Sequence, residues 1–123
     1  MINITDKQFD QLIDRALSSL PGEHIERIEN IAILRQDDPT PEQRQVLQLR
    51  RDQSLYGLYE GLPLPARQGQ TRLVPDKITL FKNPLSSSAW NLAELQEQIR
   101  HTLWHEIGHY YGLDHSRIRE LEK

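Results

Sequence analysis

Between His105 and His115 the chain reads His-Glu-Ile-Gly-His-Tyr-Tyr-Gly-Leu-Asp-His, the pattern H-E-x-x-H-x-x-G-x-x-H. With each residue type taken at roughly one in twenty, five fixed positions coincide at about three start sites in ten million. Coincidence is a poor explanation in so short a chain. The pattern dictates backbone first. Residues four apart on an α-helix are offset by about 40° and one turn, so His105 and His109 project from one face and their imidazoles can converge on one metal ion. Glu106 lies about 100° around the helix from His105, too far to complete that pair as a ligand. Its carboxylate can reach a water beside the ion and reads as the general base. Gly112 can take φ > 0, which ends the helix and turns the chain back so that His115 can supply a third ligand. Asp114 and Glu120 are alternatives for that place. Three protein ligands keep one position open, as a catalytic zinc site requires.

Composition narrows the rest. The chain has 123 residues, which suits one domain spanning 1–123. Zero cysteines exclude thiol catalysis, thiolate zinc fingers, iron–sulfur sites and disulfide scaffolds, leaving histidine and carboxylate to hold any metal. Fifteen Lys and Arg against eighteen Asp and Glu give a net charge of −3 with both signs scattered, and the densest basic pair, Arg50-Arg51, stands beside Asp52. No phosphate-tracking stripe exists, so neither nucleic-acid binding nor a DNA-associated hydrolase is expected. The N-terminus lacks the basic and apolar regions of a secretory signal, and no run is long enough to span a bilayer. A soluble cytoplasmic protein without a membrane partner is the expectation.

Thr5-Asp6-Lys7-Gln8 has the form of a capping box, and Phe9, Leu12, Ile13, Ala16, Leu17 and Leu20 follow at helical spacing until Pro21-Gly22 stops the helix. Residues 23–29 could add a helical turn or two. Ile31 to Leu34 reads as a strand, Asp37 to Pro41 as a rigid turn, and Glu42 to Leu49 as a short surface helix. Leu55 to Gly61 and Lys77 to Phe81 are strand-like and could pair as a hairpin, with the Pro/Gly/Gln-rich stretch from Leu62 to Asp76 as a long mobile loop that gates the cleft. Asn83-Pro84 and the serines 86–88 read as a connector. A long helix is expected from Trp90 or Asn91 to Tyr111, and a last short one from Ser116 to Leu121. On the long helix Ile99, Leu103, Ile107 and Tyr110 form an apolar face that Trp104 and Tyr111 widen, so it should be covered on several sides. Glu94, Glu97, Gln98 and His101 make a polar arc running into the histidine face. His101, one turn before His105, reads either as a cleft residue or as one supporting the ligands, and His24 as ordinary surface.

The chain resembles the zincin metallopeptidases, and more closely the small bacterial zincin-like family described as minimal metalloprotease domains. Beside His105 to His115, the resemblance rests on Leu55-Tyr56-Gly57-Leu58-Tyr59-Glu60-Gly61-Leu62-Pro63-Leu64 and on Leu73 to Phe81. It implies a compact single-domain α+β fold: a small mixed sheet of about three strands on the central H-E-x-x-H helix, with flanking helices. It also implies Zn2+ bound by His105, His109 and His115, with Glu106 catalytic. Histidine at 115, where that family often has aspartate, brings the match nearer to the metzincins, yet their methionine turn has no counterpart because Met1 is the only methionine. The expected function is zinc-dependent hydrolysis of a peptide or protein held along the sheet edge. A peptide-binding or metal-sensing module without turnover is the alternative.

Overall fold

The computed structural model describes residues 2–22, 31–49, 56–61, 75–113, 116–117 and 120. Helix α1 (Asp6–Ser19) begins as its sequence dictates: the Gln8 N–H donates to Thr5 Oγ1 at 3.1 Å, and the Thr5 N–H donates back to Gln8 Oε1 at 2.9 Å. It buries Phe9, Leu12, Ile13 and Ala16, the stripe its periodicity announces. Strand β1 (Ile31–Gln36) leads to helix α2 (Pro41–Leu49). A second reciprocal box opens α2: the Gln43 N–H donates to Thr40 Oγ1 at 3.1 Å, and the Thr40 N–H to Gln43 Oε1 at 2.9 Å. Pro41 stands at the first helical position, where its missing N–H costs nothing. Strands β2 (Gly57–Glu60) and β3 (Asp76–Phe81), helix α3 (Lys82–Ser87) and helix α4 (Leu92–Tyr110) complete the order.

The sheet runs β1–β3–β2, with β1 parallel and β2 antiparallel to β3. The mixed three-stranded sheet and the hairpin pairing of β2 with β3 are therefore as expected. Central β3 is buried at every residue but Lys77, because both its faces are covered. On one face Tyr59, Ile78 and Leu80 join the main core with α1 and α4; on the other Leu58 and Phe81 pack with Val46 of α2. The alternation of Leu58 and Tyr59 across the pleat splits β2 between the two layers.

Helix α4 is the spine. Asn91 Oδ1 accepts the Glu94 N–H at 2.9 Å, and Leu95, Ile99, Leu103, Ile107 and Tyr110 run buried along it. Each such side chain contributes about 1.5–3 kcal/mol when removed from water. Helix α1 lies against it, tied by Gln96 Nε2 donating to the Leu12 carbonyl at 2.9 Å and by Arg100 Nε donating to Ser19 Oγ at 3.2 Å. Among the described residues no helix is long and apolar enough to cross a membrane.

One expectation is corrected. The stretch around Asn83-Pro84 is a helix, α3, rather than a connector, and buries Leu85 and Ser86. Pro84 falls in its first turn, where no intrahelical hydrogen bond is lost, so the Asn-Pro pair starts structure instead of ending it. The expected turns at residues 23–29 and the loop at 62–74 lie outside the described residues, as does half of the last short helix, of which residues 116, 117 and 120 are helical.

A surface ion cluster joins three elements. Asp6 accepts Lys82 Nζ at 2.7 Å and faces Arg35 Nη1 at 3.3 Å, while Arg35 Nε reaches Asp10 Oδ1 at 2.9 Å. The Lys82 hydrogen bond, aided by the Arg35 charge, holds the Asp6 carboxyl below its ordinary pKa. A carboxyl lowered in the folded state stabilises above its ordinary pKa and loses that contribution as pH falls through the folded value. Asp6→Asn should therefore lower the urea midpoint at neutral pH and lose its effect in acid. Equal midpoints for native and variant at neutral pH would contradict this.

Candidate metal centre

The last two turns of α4 carry the site. His105 and His109 are half-buried, with Nε2 atoms 3.1 Å apart and rings inclined at 79°. Two nitrogens each about 2.05 Å from one tetrahedral zinc would stand about 3.3 Å apart, so the pair fits a single ion. Ligand atoms of His105, Glu106 and His109 all lie within 4.8 Å of one another.

Glu106 is fully buried, and its Oε1 accepts the backbone N–H of Tyr59 at 2.9 Å. The ladder explains why that N–H is available. The Phe81 N–H donates to the Tyr56 carbonyl at 2.9 Å, and antiparallel pairs alternate, so Gly57 and Tyr59 turn their backbone groups away from β3. Glu106 thus meets the outer edge of β2. Gly57 permits the close approach: a Cβ there would stand 2.6 Å from Thr102 Cγ2 of α4.

Tyr59 is fixed from its other end as well. Its hydroxyl donates to Asp76 Oδ2 at 2.6 Å, both residues being buried, and its ring meets Tyr110 edge-on at 6.2 Å. Gly61 makes room, since a Cβ there would collide with the Asp76 carboxyl. A histidine pair, a buried helical glutamate between them and a sheet edge laid across that glutamate now stand together. The family model described as zincin-like metallopeptidase matches residues 28–123, more than three quarters of the chain. The chain belongs to that family. No curated protein matches it. Helix α1 precedes the matched span, yet it covers the zincin helix α4 along one side.

The zincin helix ends as its sequence dictates. Gly112 has φ of 76°, its N–H donates to the His109 carbonyl at 2.9 Å, and the Leu113 N–H donates to the Gly108 carbonyl at 3.0 Å. These are the two bonds of a Schellman cap, and Leu113 packs on the core as the cap favours. His115 and Asp114 lie outside the described residues, as does His24. Glu120 is exposed and accepts Arg117 Nη1 at 2.8 Å. His101 is exposed and, with Glu94, Glu97 and Gln98, lines a shallow groove of about 340 Å³, the polar arc the sequence shows. Tyr110 is buried in the core and Tyr111 packs against it.

Sequence reasoning leaves the part of Tyr59 open and passes over Asp76. A backbone N–H is common to nearly every residue, so no side chain advertises it. A buried aspartate opening a strand opposite Tyr-x-Gly would have been the trace. Removing the hydroxyl in Tyr59→Phe should cost about 1.5–3 kcal/mol, the range for a hydrogen bond to a charged group. Gly112→Ala should cost about 1–2 kcal/mol for forcing a Cβ into the left-handed region. Urea denaturation reads both; unchanged midpoints would contradict the two local accounts.

Proposed function

We propose that the chain is a zinc-dependent peptidase in which Glu106 is the general base and His105, His109 and His115 are the protein ligands of the ion. The observation that carries this reading is the 3.1 Å separation of the His105 and His109 Nε2 atoms with the Glu106 carboxylate beside them. An ion held there would supply Lewis-acid polarisation of the scissile carbonyl and of the attacking water.

The remaining steps belong to the chain. Glu106, shielded from bulk solvent, takes a proton on its carboxylate as water adds to the carbonyl carbon, and returns it to the amine nitrogen as the C–N bond breaks. The apolar flanks of α4 hold the carboxylate in a poorly solvated place, where each aligned donor and acceptor acts more strongly than in water. The substrate of this reading is an extended peptide held along the sheet by strand addition. A cytoplasmic setting and a peptide or protein partner are part of this reading.

Glu106→Gln keeps the side chain's shape and removes its basicity. With zinc supplied and a mixed peptide library as substrate, the native chain should cleave and the variant should be about 10²–10⁴-fold slower. Metal and peptide binding without cleavage by either chain would replace the enzyme with a binding or sensing module. Among the candidates for the third ligand, His115→Ala should lower zinc affinity in a competition titration, whereas Asp114→Ala and Glu120→Ala should not. The reverse pattern would move the ligand.

A further inference from the structure

Tyr59 touches α4 at two places one turn apart. Its N–H donates to Glu106 Oε1 at 2.9 Å, and its ring stands edge-on to Tyr110 with centroids 6.2 Å apart. Positions 106 and 110 are four apart, so both contacts fall on the helix face that meets the sheet. The hydrogen bond engages a single oxygen, so it supplies aim rather than restraint. The carboxylate so placed has a ligand atom within 4.8 Å of those of His105 and His109.

That aim is as firm as the seat of β2 on α4, and one side chain provides the seat. Leu58 belongs to the opposite layer with Phe81, and Glu60, on the same face of the pleat as Leu58, pairs with Lys77. Gly57 faces Thr102 of α4 with no side chain to key into the helix. Tyr59 alone remains. An edge-on ring contact and one hydrogen bond both tolerate small slides, so a further anchor decides where the ring rests. Asp76 is that anchor. In the ladder Tyr59 stands opposite Ile78, and Asp76, two residues before Ile78, shares its face of β3. The Tyr59 hydroxyl reaches diagonally across the strand pair and donates to Asp76 Oδ2 at 2.6 Å, both residues being buried. Gly61 leaves the space for that carboxyl, which a Cβ there would meet.

We propose that Asp76 is a positioning residue for Glu106 and acts through Tyr59: it anchors the hydroxyl, the anchored ring seats β2 against α4, and the Tyr59 N–H thereby aims the base. This rests on the peptidase reading and adds to it a residue on the far strand of the hairpin. Misplacing a reacting group by about 1 Å costs about 10²-fold in rate, so a shift of about half that at β2 should cost about tenfold.

Hydrogen exchange tests the anchor in the 15N-labelled, zinc-loaded full chain. Tyr59→Phe should speed exchange of the amide at position 59 about tenfold relative to those of Leu58 and Thr79, its neighbours in the same strand pair, and Asp76→Ala should match it. Lost stability alone speeds all three together. Equal acceleration, or none, overturns the proposal whether or not the chain cleaves. Tyr59→Phe, which removes one oxygen, decides alone should Asp76→Ala not fold. With one peptide that the native chain cleaves, kcat of each variant should fall about tenfold at unchanged KM, and the double variant should fall no further than the slower single one. A rise in KM alone, or additive losses, also overturns it. Absence of cleavage by the native chain strikes the peptidase reading, while the amide exchange still decides the anchor.

Discussion

Everything at this site depends on how α4 is enclosed. Helix α1 covers one side, the sheet lies across another, and the face that carries His105 and His109 stays only partly covered. Helical geometry fixes the two imidazoles relative to each other, but the enclosure fixes them relative to the rest of the molecule. Deep packing by Ile99, Leu103 and Ile107 leaves the histidine turn little freedom to rotate, since interiors resist even small changes of volume. The site is rigid because the helix beneath it is core.

That enclosure creates an electrostatic problem that the same structure answers in part, at one of the two carboxylate oxygens. Glu106 follows His105 around the helix toward the sheet and so is buried completely, where an uncompensated carboxylate would be costly. The Tyr59 N–H compensates it with a charge-assisted hydrogen bond, available because edge strand β2 turns that donor outward. Gly57 and Gly61 act at this point for a shared reason: both allow backbone to approach where a methyl group would obstruct, one against α4 and the other against Asp76. Strand, helix and carboxylate are thus mutually dependent.

Local rules made much of this legible in advance. The Thr5 box, the Asn91 start of α4 and the Gly112 cap are written within a few residues of where they act, and the histidine stripe follows from helical spacing alone. The antiparallel pairing of the Tyr56 and Ile78 segments was legible too, from their β-rich composition. The parallel pairing of β1 with β3 was not, because it joins distant segments through backbone groups that every residue possesses. Asn83-Pro84 reads as a break because proline interrupts a helix interior, yet it is harmless in a first turn. The second box at Thr40-Pro41-Glu42-Gln43 was present in the letters and obscured by the prolines around it. Tyr59 and Asp76 are hidden for a different reason: Tyr59 meets Glu106 where strand crosses helix, Asp76 meets Tyr59 across the paired strands, and no periodicity encodes either contact.

The account stands on one ion shared by the imidazoles of His105 and His109. X-ray absorption at the zinc edge of the purified, zinc-replenished chain tests it most directly. It predicts stoichiometric zinc with nitrogen or oxygen neighbours at about 2.0–2.1 Å and imidazole scattering that falls when either histidine is replaced by alanine. A spectrum without imidazole scattering, or one unchanged in both variants, would contradict it.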